Sequence, residues 1–214
     1  RDILWTGLSM PSYGEIKTIL EVTDRDPNNP SNVIHIYTGQ SVAGPWDPYR
    51  AWDREHILPN SRLGILRVSE SGRNAGSDAH NLRPIDTSIN SSRGNLFFDY
   101  EDGTYWYPDI NRVDSRSDIG DVARTAFYMS VMYDWLTLTD DTSGISNTYH
   151  FDHTDFAVLS ALIDFHYQDL PDSFEINRNE SIYSYQNNRN PFVDYPHFVE
   201  LIWFYHENIP EAYS

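Results

Sequence analysis

Residues 52–60 read WDREHILPN, and residues 77–95 read SDAHNLRPIDTSINSSRGN. The first stretch is a short segment with apolar residues at intervals, stopped by Pro59. In the second, His80 to Ile85 reads as another short strand. Asp86 then stands where it can cap a helix over Thr87 to Arg93, and Gly94 ends that helix. Arg62 to Ser77 lies between the strands, scattered with Gly and Ser, and reads as an irregular excursion. The unit is therefore strand with Glu55-His56, loop, strand, and a helix with Asn90 in its first turns. In a regular strand Glu55 and His56 point to opposite faces. For both to serve one centre, the strand must twist or end there.

Outward from this unit, Asn32 to Gly39 (NVIHIYTG) alternates and reads as a strand. Ser41 to Tyr49 reads as a loop. Three later stretches have helical spacing: Asp121 to Leu136, Thr154 to Tyr167 with Thr154 as its cap, and Pro196 to Glu207 with Pro in the first turn. Short strands followed by helices predict an α+β fold. We expect a single domain over residues 1–214, with the strand–strand–helix core at about residues 50–95. Tyr105, Trp106, Tyr107, Trp135 and Trp203 are expected in the core.

The chain has 214 residues and a net charge of −17, with a single lysine, Lys17. Such acidity argues against a nucleic-acid partner until its distribution is read. From Arg50 to Arg93 there are seven Arg against five acids, a net of +2, so the remainder of the −17 chain carries −19. A positive segment inside an acidic chain is what an anion-binding site needs. An aromatic content of 14% excludes a disordered chain. No apolar run is long enough for a membrane span, so no membrane partner is expected. With no cysteine, disulfides, thiolate metal sites and cysteine nucleophiles are excluded together. The sequence opens at Arg1 without Met and shows no leader; processing of a longer precursor is one account of that and trimming is the other. Few Lys and many acids suggest a protein suited to high salt, whose activity persists in strong NaCl.

Phosphodiester hydrolysis needs a base for water, a cation on the scissile phosphate and a positive group where charge develops. A neutral His suits the first role near pH 7. A carboxylate and an amide oxygen suit a hard cation. Arg suits the last. All four residue types occur in this one window. HFDHTD at residues 150–155 is a second cluster with metal-binding residue types, read here as caps and a solvated acidic turn.

The patterns W-x-R-E-H-x-x-P, S-D-x-H-N-L-R-P and N-x-x-R-G-N resemble the bacterial endonuclease I family, non-specific nucleases of the ββα-metal fold. DVARTAFYM at Asp121 to Met129 and NRNPFVDYP at Asn188 to Pro196 extend the resemblance over about Trp52 to Trp203. It implies a metal-dependent endonuclease, secreted or periplasmic, acting on DNA and also on RNA, and leaving 5′-phosphate ends. It implies His56 as general base and Glu55 and Asn90 as ligands of one divalent cation, Mg²⁺ ahead of Ca²⁺ or Mn²⁺. Arg73, in SGRNAG, matches the family's loop arginine on the scissile phosphate. Arg54, Arg83 and Arg93 are expected substrate contacts, with capping of neighbouring carbonyls the alternative for Arg93. His80 and Asn81 are expected to hold the excursion in place. Cysteine-containing members hold their longer loop with disulfides, so this chain must hold its own another way or leave it mobile. A Glu of those members has no counterpart, because Gly76 stands there. A monomer is expected. The rival readings are a catalytically silent, metal-stabilised binding module and an unrelated metal-dependent hydrolase using His150 and His153.

Overall fold

The computed structural model describes residues 2–46, 51–100, 104–109, 112–142, 154–156 and 158–204. His150 and His153 lie outside the described residues. The fold mixes helix and sheet, as expected of an α+β chain. A short helix α1 (Asp2–Trp5) leads to α2 (Ile16–Thr23) and then to a three-stranded antiparallel sheet of β1 (Arg25–Asp26), β2 (Asn29–Ile34) and β3 (Ser41–Ala43). The strand expected over Asn32 to Gly39 is thus shifted. Its second half instead turns back so that β3 pairs with β2 inside the expected loop. Tyr37 and Gly39 make this turn with φ of 69° and 66°. The left-handed region costs Gly little, but a tyrosine occupies it only where its surroundings impose it.

The central unit follows the sequence. β4 (Asp53–His56) pairs antiparallel with β5 (Leu82–Ile85), placing Glu55 opposite Arg83 and His56 opposite Leu82. α3 (Thr87–Arg93) begins at Asp86, whose Oδ1 accepts from the backbone N–H of Ser88 at 2.8 Å and of Ile89 at 3.2 Å. It ends at Gly94 with φ of 55°. His80 and Asn81, expected as the start of the second strand, fall instead in a 3-10 turn (Ala79–Asn81) capped by Asp78. β5 is buried along its whole length. Leu82 joins a small core with Ile16, Leu20, Val33, Trp52 and Ile182, while Ile85 joins the large core around the next helix.

That helix is α4 (Ile119–Met132), apolar nearly all round and buried, as a central helix should be. The two-stranded parallel pair β6 (Thr137–Leu138) and β7 (Asp155–Phe156) precedes α5 (Leu159–Gln168), which packs on α4. Thr154 is not the cap of α5, because it leads into β7. α6 (Ser173–Gln186), α7 (Pro191–Asp194, capped by Asn190) and α8 (Phe198–Trp203) complete the described chain. The last starts at Phe198 rather than at the expected Pro196, and residues 205–207 of that expected helix lie outside the described residues. Trp106 is buried and Tyr105, Tyr107 and Trp203 pack against the core, whereas Trp135 is 41% exposed and donates its indole N–H to Leu63 O at 2.9 Å.

α2 and α6 have no counterpart among the expected elements. Both are tied to β5 by buried charge. Arg83 on β5 pairs with Asp24, which follows α2, at 2.6 Å, and with Asp121 on α4 at 3.0 Å. Arg178 on α6 meets Asp24 at 3.1 Å and donates to Leu82 O at 2.6 Å. Arg124 on α4 joins Glu175 on α6 at 2.7 Å. These pairs set the position of the strand pair relative to three helices.

Candidate active site

A cleft of about 480 Å³ opens at the end of β4. Glu55 and His56 from β4, Asn90 from α3, Arg67 from the excursion and Tyr13 from the N-terminal segment all line it. The strand ends at His56, so the cleft runs round its end and takes in both neighbours of the alternating pair. Glu55 is its buried floor, 2% exposed, and His56 its half-buried wall.

His56 Nε2 lies 2.7 Å from the carbonyl oxygen of Gly76. A carbonyl only accepts, so Nε2 carries the proton and Nδ1 keeps its lone pair. Burial pushes the imidazole down to about 4. The Gly76 carbonyl opposes that shift, and the positive charges of Arg54, Arg93 and Arg67 add to it. The ring is therefore neutral at pH 7, as a general base must be.

Glu55 Oε1 accepts from the Tyr37 hydroxyl at 2.8 Å and sits 3.4 Å from Arg93 Nε. Burial raises its carboxyl above the usual carboxylate range, against the Arg93 charge and the Tyr37 hydrogen bond. Both contacts fall on Oε1, leaving Oε2 as a donor. With the amide oxygen of Asn90 on the same cleft, the donors are hard oxygens. Among the described residues no group of three or more His, Cys, Asp or Glu stands together for a metal. Two protein oxygens fit a cation such as Mg²⁺, which keeps most of its waters and takes the rest from substrate.

The arginines divide. Arg93 is fully buried and donates to the carbonyls of His56 at 3.2 Å and Ile57 at 2.6 Å. It takes the capping role, bordering the cleft with no exposed surface of its own. Arg83, 2% exposed between two carboxylates, does not line the cleft. Arg54 does line it, yet its guanidinium lies 3.5 Å over the Tyr13 ring and pairs with Glu70 at 2.7 Å. Arg73 points elsewhere, pairing with Glu15 at 2.8 Å and donating to Met10 O at 2.7 Å. Arg67 is exposed on the cleft and, among the described residues, has no carboxylate partner.

The family model for endonuclease I matches residues 4–197. This chain belongs to the endonuclease I family. It is 39% identical over 220 residues to an extracellular ribonuclease of Bacillus subtilis (strain 168), and 37% identical to one of Bacillus amyloliquefaciens. Each comparison covers 92% of this chain and 70% of the relative. The chain is thus an enzyme that hydrolyses phosphodiester bonds of nucleic acid.

This endonuclease I chain holds its excursion without a disulfide. The N–H groups of Tyr13 and Gly14 donate to Gly72 O at 2.9 Å and Glu70 O at 2.7 Å. Lys17 and Arg54 both grip the Glu70 carboxylate, and Arg73 ties the excursion back to Met10 and Glu15. A side chain at Gly76 would meet Val68 Cβ at 2.9 Å, so the Glu of cysteine-containing members has no room here. The Asn81 side chain bridges the Leu58 N–H at 2.8 Å and its carbonyl at 3.0 Å, a structural contact with the chain just past the end of β4 rather than with the excursion itself. His80 is buried against Tyr128, with ring centres 4.5 Å apart. Tyr37, Arg67 and Tyr13 escaped the sequence reading. Only Arg67 had a signal, as another arginine of the excursion beside Arg73.

Proposed function

We propose that this endonuclease I chain is a secreted or periplasmic, metal-dependent, sequence-non-specific endonuclease acting on DNA and RNA and leaving 5′-phosphate ends. The observation that carries this is the His56–Gly76 hydrogen bond, which leaves a neutral Nδ1 on the same cleft as Glu55 and Asn90. The names of the two Bacillus relatives support an extracellular setting and RNA among the substrates. No described helix is long and apolar enough to cross a membrane.

In this reading His56 Nδ1 takes the proton from the attacking water, and the Gly76 carbonyl steadies the imidazolium that forms. Glu55 and Asn90 would hold one divalent cation, Mg²⁺ by preference. When bound, that cation supplies positive charge to the phosphate and to the leaving 3′ oxygen. Arg67, in place of Arg73, holds a phosphate oxygen where negative charge develops. Arg93 keeps Glu55 in place from below and caps the end of β4. Arg54 shapes the wall without meeting substrate.

Plasmid DNA and a structured RNA, incubated with wild type and His56→Ala in Mg²⁺, Ca²⁺, Mn²⁺ or EDTA, test the reading. Expected are cleavage by wild type, its loss in EDTA and a loss of about 10²–10⁴-fold in turnover for His56→Ala. Cleavage undiminished in EDTA overturns the metal, and full turnover by His56→Ala overturns the base. Loss of turnover in a variant at His150 or His153, with His56 dispensable, would instead favour the second metal cluster.

A further inference from the structure

The edge of the His56 imidazole is held by Gly76, but one hydrogen bond leaves the ring free to tilt about the N–H···O axis. The Tyr13 ring closes that freedom. The two rings are stacked, with centres 5.5 Å apart and planes 21° apart. Tyr13 is itself held from three sides. Its N–H donates to Gly72 O at 2.9 Å, its carbonyl accepts from Arg54 Nη1, and the Arg54 guanidinium lies 3.5 Å over its ring. Arg54 stands two residues before His56 on the same face of β4, and Glu70 anchors it at 2.7 Å. Gly72 and Glu70 belong to the excursion that also carries the Gly76 carbonyl. The plane and the edge of the imidazole are thus set by one assembly of the N-terminal segment, the excursion and the strand.

We propose that Tyr13 is a positioning residue for hydrolysis, whose stacked ring fixes the plane of the His56 imidazole and so the direction of Nδ1. This rests on the reading of His56 as the base. The ring face does the work, so the hydroxyl is dispensable. Arg54 and His56 both lie against the Tyr13 ring, which engages it in orienting the base. Proton transfer depends steeply on direction, and a misplacement of about 1 Å can cost about 10²-fold in rate. Tyr13 therefore acts on kcat rather than on substrate affinity.

The test compares Tyr13→Phe and Tyr13→Leu with wild type and His56→Ala, in steady-state cleavage of a short labelled duplex. Tyr13→Leu is expected to lower kcat about 10–100-fold with KM little changed, and Tyr13→Phe to restore most of it. Thermal melting establishes that each variant is folded. In the wild-type protein, a nuclear Overhauser contact between the Tyr13 and His56 ring protons is expected, whichever variants fold. Absence of that contact overturns the proposal. So does a Tyr13→Phe as slow as Tyr13→Leu, or a Tyr13→Leu that raises KM at unchanged kcat. If His56→Ala keeps full turnover, the base assignment itself has failed; if it is inactive while Tyr13→Leu is unimpaired, only the role of Tyr13 has.

Discussion

His56 Nε2 and the Gly76 carbonyl oxygen are 2.7 Å apart, and this one contact ties the base to a loop position twenty residues later. Gly76 is enclosed by Val68 and Asn60, so an added methyl would press on Val68 Cβ at 2.9 Å and Asn60 Oδ1 at 3.2 Å. Val68 Cβ is fixed to its backbone, and Asn60 Oδ1 is held by the Val68 N–H at 3.1 Å. Gly76→Ala must therefore shift the turn that carries the carbonyl. We expect kcat to fall about tenfold or more with a smaller effect on KM, since a catalytic group is displaced rather than a binding one. A Gly76→Ala enzyme with wild-type kcat would show that the carbonyl contact does not orient the base.

The pH dependence follows from the same environment. The base works only when unprotonated, and burial holds the His56 imidazole at about 4. The acidic limb of kcat/KM should therefore lie near pH 4 to 5, well below the ordinary value of about 6.5 for histidine. Stability carries the matching sign. His56, His80 and His166 are all held near 4, so the unfolded chain takes up protons before the folded one does. Their contribution is complete above about pH 6.5 and is lost as pH falls toward 4. Thermal melting at pH 7 and at pH 4.5 reads the stability. A kinetic limb near pH 6.5 would count against the buried neutral base.

Arg83 separates a structural role from substrate contact. It lies between Asp24 and Asp121, both buried, at 2.6 Å and 3.0 Å. Removing it leaves two carboxylates short of charge in the interior. Loss of one partner of a buried pair costs about 3–5 kcal/mol. Arg83→Met should lower stability by that order in chemical denaturation, while the folded enzyme keeps its KM. A stable Arg83→Met with a raised KM would restore the phosphate-contact reading.

The strand–strand–helix unit was legible because its punctuation is local. Pro59, Asp86 and Gly94 act within a few residues of themselves, and the Glu-His and Asn positions follow from them. α6 was not legible because it has almost no apolar stripe. Glu175, Arg178, Asn179 and Gln186 are all buried on it, each held by hydrogen bonds or charge. The partner of Arg178 is Asp24, 154 residues away, which no local pattern announces. α2 differs, for Ile16, Ile19, Leu20 and Thr23 do stand at helical spacing and the helix could have been read. The arginines fail for a third reason. Arg67 and Arg73 share one excursion, and only its pairing with Tyr13 and Gly14 turns Arg73 away from the cleft. Tyr13 reaches His56 from the other end of the unit, across that same pairing.

Arg67 and Arg73 should accordingly part company in kinetics and in salt. Arg67 is exposed on the cleft, so Arg67→Ala should lower kcat/KM and reduce the salt dependence of binding by about one phosphate contact. Arg73→Ala loses contacts to Met10 and Glu15 only, and should act through the firmness of the excursion, leaving the salt slope unchanged. Among the described residues lining the cleft, Arg67 is the exposed arginine; Arg54 and Arg93 are buried. A cleft whose described lining offers nucleic acid so few exposed cations has little affinity to lose as counterions accumulate. At molar salt the screening length is about 3 Å, which also removes repulsion between the polyanion and the −17 chain. Turnover should therefore persist from 0.1 M to above about 0.5 M NaCl, where a binder making 6–10 phosphate contacts has already lost several orders of magnitude in affinity. A cleavage series across that range, run on wild type and on both arginine variants, reads the two effects together. Wild-type activity gone by about 0.5 M, with the Arg73→Ala slope as shallow as that of Arg67→Ala, would mean that phosphate is held by more than the cleft arginine.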